Sequence, residues 1–222
     1  MTETVIIVIG SGGHAAVVAD ALLAAGARVL GFTDAHADAA QHGRMLCGLP
    51  VLGDDSVLQS SAAAHATATL RLANGIGGTR GEGLRRAVQR RLEACGWQFV
   101  QVRHPAALVS PFARVAAGAQ LFASCVVQAG AAIGEGCIVN TAAVVEHDVV
   151  LGEFVHVACN ATLCGNVRVG ANSHIGAAAV LRQGVQLGDA TVVGAGAVVL
   201  RDFEGGATLV GAPADLLKTR TS

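Results

Sequence analysis

From Val109 to Val199 every sixth residue is Val, Leu or Ile. The sixteen positions run from Val109, Val115 and Leu121 through Val145, Leu151 and Val157 to Val193 and Val199 without a break. If such residues filled half the chain, a run of that length would have a chance of roughly 10⁻⁵, so the pattern is an internal repeat. A second rule runs beside it. Four residues after each anchor the side chain is small or is Val, as at Ala113, Ala119, Cys125, Ala131, Cys137, Val155, Ser173 and Ala197. A helix would space its apolar face by three and four residues and an ordinary strand by two. Period six fits a parallel β-helix of hexapeptides, each a short strand plus a turn. The anchor fills the interior and the small residue a tight corner. Gly often follows the anchor (Gly134, Gly152, Gly170, Gly188), where the expectation is that it relaxes the backbone at the turn.

Residues 1–103 follow a different pattern, that of a small α/β domain. Val5 to Ile9 is a continuous apolar run, the mark of a buried parallel strand. Gly10-Ser11-Gly12-Gly13-His14 follows, and then a helical pattern through Val17, Val18, Ala21, Leu22 and Ala25 that Gly26 ends. Arg28 to Thr33 reads as a second strand closing on Asp34, Leu70 to Ile76 as another, Leu84 to Ala94 as a helix, and Trp97 to Val102 as a last strand. A strand, a Gly-rich turn and a helix bind phosphates, because backbone N–H groups and the helix N-terminus meet the anion. An acidic residue at the end of the second strand stands where a ribose contact is usual. The turn has Ala15 where a full GxGxxG has its third glycine, so a structural turn is the competing reading.

Composition narrows the function. The chain has 222 residues, 52% of them hydrophobic, enough for a sizeable core and two domains. A net charge of −1 leaves no basic footprint for nucleic acid. With no Tyr and one Trp, aromatic platforms for bases are not expected. Val5 to Ile9 is too short to span a membrane, and the N-terminus lacks the basic flank of a signal peptide. The six cysteines contain no CxxC pair and read as reduced thiols of a cytoplasmic protein.

The whole chain resembles the bacterial nucleotide-sugar acetyltransferases of the bacillosamine, perosamine and sialic-acid O-acetyltransferase type. The stretches that carry the resemblance are IGSGGHAAVVAD near the start, HPAALVSP at the junction, NTAAVVEHDVVLGEFVHVACNATLCGNVRVG in the repeat and VGAPA near the end. It implies a Rossmann-like nucleotide-sugar domain over 1–103 and a left-handed β-helix over 104–222, three hexads to each eighteen-residue coil. It also implies a homotrimer with acetyl-CoA as cosubstrate.

By the same resemblance His147 is the general base and Asp148 its partner. An imidazole titrates near ~6.5, so much of it is free base at neutral pH. A carboxylate beside it favours the imidazolium that forms during transfer and fixes the tautomer. His147 falls two residues after an anchor, at an outward place that repeat packing does not require. An exposed turn histidine is the plain reading of that place, and Glu146 beside it reads as a turn carboxylate. The oxyanion needs a donor, for which a backbone N–H of the coil is the natural candidate.

His156 and His174 are one coil apart and should stack at about 4.8 Å, the spacing of adjacent strands. His147 and His156 are half a coil apart, on different sides of the prism, so they meet only across a subunit interface. The resemblance gives His156, Ala177, Ala195, Gly211 and Pro213 to acetyl-CoA. It gives Gly12, Gly13, His14, Asp34 and Gly77 to the nucleotide sugar. A β-helix zinc site of the γ-carbonic-anhydrase type needs an HxxxxH spacing that is absent, so no metal is expected. Val126, Val144, Val150 and Val180 are apolar off the anchor positions, and a closed trimer of prisms would cover them.

The expected reaction is acetyl transfer to the 4-amino group of a UDP- or GDP-linked 4-amino-4,6-dideoxyhexose, by direct attack without an acyl-enzyme. The alternative in the same class is O-acetylation of a sialic acid or related sugar. A dinucleotide-dependent oxidoreductase, suggested by the Gly-rich turn alone, leaves half the chain unexplained. A third reading is a non-catalytic nucleotide-sugar-binding scaffold, which the ligand would stabilise as it does an enzyme but which would release no CoA thiol.

Overall fold

The interior positions of the repeat are buried because they have no other place to go. The computed structural model describes residues 4–35, 43–64, 69–78 and 82–217. The chain divides into two compact units, residues 1–105 and 106–222.

In the first unit, β1 (Thr4–Ile9) is buried after its first residue, as a strand covered on both faces must be. It leads into α1 (Gly13–Ala24), β2 (Arg28–Thr33), β3 (Met45–Leu46), β4 (Leu49–Gly53), α2 (Val57–Ala64), β5 (Thr69–Asn74) and α3 (Glu82–Ala94). The sheet order is β3-β4-β2-β1-β5. β4, β2, β1 and β5 are parallel, and β3 pairs antiparallel at the edge. The chain leaves β1 toward β2 on one side and returns to β5 on the other. Carboxyl ends of strands at such a reversal are where α/β sheets bind ligands.

Two strand expectations are shortened. β5 stops at Asn74, whose amide turns inward to donate to the Arg85 carbonyl (3.1 Å) and Gln89 Oε1 (3.2 Å). Its Oδ1 accepts the Ile76 N–H. Of the stretch Trp97 to Val102, a single parallel bridge joins Phe99 to Leu72, and Val102 begins a two-residue strand. The glycine-rich run after Gly77 falls partly outside the described residues.

In the second unit each hexad contributes a two-residue strand, and strands eighteen residues apart pair in parallel register. Three faces result. Face 1 runs from Leu108–Val109 to Val198–Val199, face 2 from Arg114–Val115 to Gln186–Leu187, and face 3 from Gln120–Leu121 to Thr208–Val210. The anchors and the small residues four positions on form one core, with Cys125 and Cys137 inside it. Fully burying one such Val, Leu or Ile contributes about 1.5–3 kcal/mol.

The glycines after the anchors do not act as expected. They are absent from the positive-φ positions. A Cβ on Gly134 would stand 2.6 Å from the Gly152 carbonyl oxygen, and one on Gly170 2.4 Å from the Asp189 nitrogen. Their role is close stacking of successive coils. The left-handed backbone falls three residues after each anchor from Val115 to Val193, at Ser124, Ala142, Asp148, Phe154, Asn160, Asn166 and Asn172 among others.

Candidate active site

The corner between faces 1 and 2 carries Ala129-Gly130, His147-Asp148 and Gly165-Asn166 on successive coils. Backbone bonds lock them in a column: the Asp148 N–H donates to the Ala129 carbonyl (3.1 Å) and the Asn166 N–H to the His147 carbonyl (3.0 Å). Asp148 holds φ +59°, a left-handed conformation that Asp tolerates better than most residues. That turn swings its carboxylate back, so that Oδ2 lies 2.9 Å from His147 Nδ1. The carboxylate accepts the Nδ1 proton, which leaves the Nε2 lone pair as the basic site. Both side chains are half exposed, 52% for His147 and 59% for Asp148, so a substrate can reach them.

Two glycines make room for this pair. A Cβ on Gly165 would stand 2.4 Å from His147 Nε2 and 2.6 Å from Cε1. One on Gly130 would stand 2.3 Å from Asp148 Oδ1. Among the described residues the Gly165 N–H donates to no acceptor, while its carbonyl accepts from Gly184. The open ring nitrogen therefore packs against a residue whose backbone donor is uncommitted, a combination that acyl transfer can use. Glu146 accepts the His147 backbone N–H at 3.2 Å, which is turn work.

His156 lies on face 3, 5% exposed, in register with His174; the ring centroids are 4.8 Å apart and nearly perpendicular. The Asn140 Oδ1 accepts the Thr141 N–H at 2.8 Å, which turns the Asn140 amide nitrogen toward His156 Nε2 at 3.3 Å. His156 Nε2 is then an acceptor, and the proton of the neutral ring belongs on Nδ1. One chain does not bring His156 to His147: one is on face 3, the other at the opposite corner. Ala177 and Ala195 are exposed at the corner between faces 3 and 1, joined through the Gly196 N–H to the Ala177 carbonyl at 2.8 Å. The turn of Gly211 and Pro213 closes on the same side, with the Gly211 carbonyl and the Ala214 N–H both bonded to Val198. Its Ala212–Pro213 peptide is cis.

In the first unit Gly12 and Gly13 are exposed, and a Cβ on either would meet nothing within 4 Å. Neither packing nor conformation requires glycine there, so what the pair keeps clear is the approach to α1. Gly12 caps α1 without a side-chain bond, and the first turn carries no acidic residue. His14 lies beside Gly77, whose Cβ would stand 3.2 Å from that of His14. Asp34 accepts a hydrogen bond from Ser11 Oγ. Arg44 donates to both the Ser11 carbonyl and Oγ at 2.9 Å.

The sequence reading missed Arg44, Asn140, Gly130 and Gly165. The two glycines could have been found by stepping eighteen residues either way from Asp148 and His147. Arg44 has no comparable signal.

A cavity of about 170 Å³ lies where β1, β2 and β5 end, bounded by Asp34, Asp55, Arg91 and apolar side chains. A larger open groove, about 680 Å³, lies on face 2 near the last coils; it is lined by Val150 but by none of the expected catalytic or ligand-binding residues. Its Asp189 and Asp202 are occupied by the Ala171 and Gln186 backbone N–H groups. Among the described residues no three His, Cys, Asp or Glu cluster as metal ligands, and no helix is long and apolar enough to cross a membrane.

Residues 5–80 match the model of the PglD N-terminal domain, and residues 166–201 that of the bacterial transferase hexapeptide. No curated protein sequence matches. Among solved structures, a histidine-to-asparagine variant of perosamine N-acetyltransferase from Caulobacter crescentus, bound to CoA and GDP-perosamine, is 35% identical. It covers 96% of this chain and 97% of that one, with a TM-score of 0.87. The acetyltransferase domain of PglB from Neisseria gonorrhoeae, bound to acetyl coenzyme A, is 36% identical over 97% of this chain and 100% of that one, TM-score 0.86. WeeI from Acinetobacter baumannii is 25% identical over 96% and 100%, TM-score 0.83.

Proposed function

The chain belongs to the bacterial nucleotide-sugar acetyltransferases that join an α/β domain to a left-handed hexapeptide β-helix, and from that premise we propose the reaction it catalyses. It transfers the acetyl group of acetyl-CoA to the 4-amino group of a nucleotide-linked 4-amino-4,6-dideoxyhexose. The observation that carries this is the His147–Asp148 pair, with Nδ1 tied to the carboxylate and Nε2 open above Gly165.

The amine nitrogen attacks the thioester carbonyl carbon, and His147 Nε2 takes the proton that the nitrogen sheds. The carbonyl oxygen, now negative, accepts the Gly165 N–H. Collapse of the tetrahedral intermediate breaks the C–S bond, and the imidazolium returns its proton to the CoA thiolate. Asp148 keeps the ring in the Nδ1–H tautomer and favours its charged form between the two steps. A direct route needs no cysteine nucleophile.

Acetyl-CoA lies along His156, Ala177 and Ala195 toward Gly211 and Pro213. Gly12, Gly13, His14, Asp34 and Gly77 hold the nucleotide sugar. Because His147 and the Ala177–Ala195 corner lie apart on one prism, the working enzyme is a homotrimer whose sites form between subunits. The outward column Leu108, Val126, Val144, Thr162, Val180 and Val198 on face 1 supports this, since it runs in register and is apolar but for Thr162; Val150, expected with it, lies instead on face 2 between Ala132 and Arg168. The six cysteines form no disulfide, which suits a reducing cytoplasm.

The test is CoA thiol release from acetyl-CoA with a panel of UDP- and GDP-linked 4-amino sugars, wild type against His147→Ala. Release with one amino sugar, reduced at least ~10²-fold in the variant, is expected. Release that survives the substitution would place the base elsewhere, and release only with hydroxyl acceptors would make the enzyme an O-acetyltransferase.

A further inference from the structure

The cavity at the carboxyl edge of the first sheet is small, about 170 Å³. Pockets for whole drug-sized ligands run to roughly 300–1,000 Å³, so this one fits a single ring system. Its walls are Ile9, Ala35, Ile76, Leu84 and Val88, apolar surface against which a heteroaromatic ring can pack. Its polar side chains are Asp34, Asp55 and Arg91. Asp34 is drawn toward the glycine turn through Ser11. The edge left to read a ring is therefore the Asp55–Arg91 pair.

Asp55 is held from two sides. Thr33 Oγ1 donates to Asp55 Oδ1 at 2.8 Å, and Arg91 pairs with Oδ2. The Asp55 side chain is 16% exposed. A carboxylate offers about four acceptor positions and a guanidinium five N–H donors. With Thr33 and Arg91 accounted for, about two acceptor positions remain on Asp55, beside unused donors on Arg91. Acceptor positions so nearly buried are costly unless a donor meets them.

We infer that this cavity is a nucleobase pocket that selects guanine, so that the acceptor is a GDP-linked sugar. The inference rests on the nucleotide-sugar reading above. Guanine presents two adjacent donors, N1–H and N2–H, and next to them the O6 acceptor. The two donors match the two open positions on Asp55, and O6 faces Arg91. Uracil presents one donor between two carbonyls. If N3–H meets Asp55, one carbonyl can face Arg91 and the other is set against a carboxylate oxygen. The pocket thus favours guanine by attraction and rejects uracil by repulsion.

Calorimetry tests this with the full-length protein and four diphosphates: GDP, IDP, UDP and XDP. Hypoxanthine lacks only the 2-amino group, so wild type should bind GDP tighter than IDP, and UDP more weakly still. A well-made base-edge pair discriminates by ~1–3 kcal/mol, so each gap should fall at roughly 5- to 150-fold. Asp55→Asn should lose the GDP preference over IDP and gain XDP, because the amide donates to the xanthine 2-carbonyl while still accepting N1–H. The amide nitrogen then faces Thr33, whose hydroxyl can turn to accept from it, and the amide oxygen stays on the Arg91 side; a thermal melt checks the fold. Equal GDP and IDP affinities in wild type overturn the assignment without any substitution. So does a variant that weakens all four ligands alike with no gain for XDP, which would make the ion pair purely structural. UDP binding tighter than GDP overturns the guanine assignment and leaves the transferase reading intact. Failure of both GDP and UDP to bind would remove the nucleotide-sugar reading with it.

Discussion

Replacing Gly165 by Ala isolates the geometry of the base from its chemistry. The substitution keeps His147 and Asp148, and it puts a methyl carbon 2.4 Å from Nε2 and 2.6 Å from Cε1. Both distances lie far inside van der Waals contact, and the nearest atoms belong to a side chain that can rotate. The ring therefore moves, and either the Nδ1–Asp148 bond at 2.9 Å or the position of Nε2 is lost. General-base catalysis contributes ~10²–10⁴-fold, so the expected loss in kcat is at least ~10²-fold, about 2.7 kcal/mol of transition-state stabilisation. Stability should move the other way. Gly165 is not among the positive-φ glycines, so Ala fits its backbone, and fewer unfolded conformations should stabilise the fold by ~0.4–1 kcal/mol. The assay pairs CoA thiol release at saturating substrates with a thermal melt of the same preparation. An inactive variant that melts at or above the wild-type temperature is the expected result. A variant with near-wild-type kcat would show that Nε2 does not work from above Gly165. A variant that melts well below wild type would show that the coil, and not the ring, depends on this glycine.

Asp148→Asn should be mild, because Asn also tolerates the left-handed backbone and its oxygen can still accept from Nδ1. With the pair more than half exposed, the lost charge is worth about 1 kcal/mol. The kcat should fall roughly fivefold with an unchanged KM for acetyl-CoA; a loss above ~10³-fold would give Asp148 a larger part than orienting and charging the ring. Val144→Glu places a charge in the middle of the face 1 column, between Val126 and Thr162. Light scattering should report a monomer, and thiol release should vanish although His147 is untouched. A monomer with full activity would refute a site shared between subunits.

The coil was legible because its core is one-dimensional: each coil stacks only on the coils before and after it, so packing appears directly as a period. Its corners were not. The left-handed position holds Asn160, Asn166 and Asn172, but also Ala142, Phe154 and Ala178. Each such residue also gains an N–H bond to the coil below, as Asn172 does to Glu153 and Ala178 to Cys159 (both 2.9 Å). That bond offsets a cost of about 1–2 kcal/mol, so residue type at the corner is a weak signal. The glycines after the anchors were seen but given the wrong cause, since a sequence does not distinguish a glycine that bends from one that lets a neighbouring coil approach.

The first unit shows the opposite limit. Its strand, turn and helix could be read in order, yet the cavity at the sheet's edge joins Thr33, Asp55 and Arg91, and the last two are 36 residues apart with no period between them. The two limits meet at Asp148. A carboxylate directly after the proposed base reads in sequence as a chemical choice. The backbone there is also left-handed, and Asp and Asn are among the few side chains that tolerate it at little cost. Fold and chemistry therefore ask for the same residue type at one position. The corner of a hexapeptide coil thus makes a natural seat for a histidine base: it turns the following carboxylate back onto the ring, and the next coil needs only a glycine to leave Nε2 open.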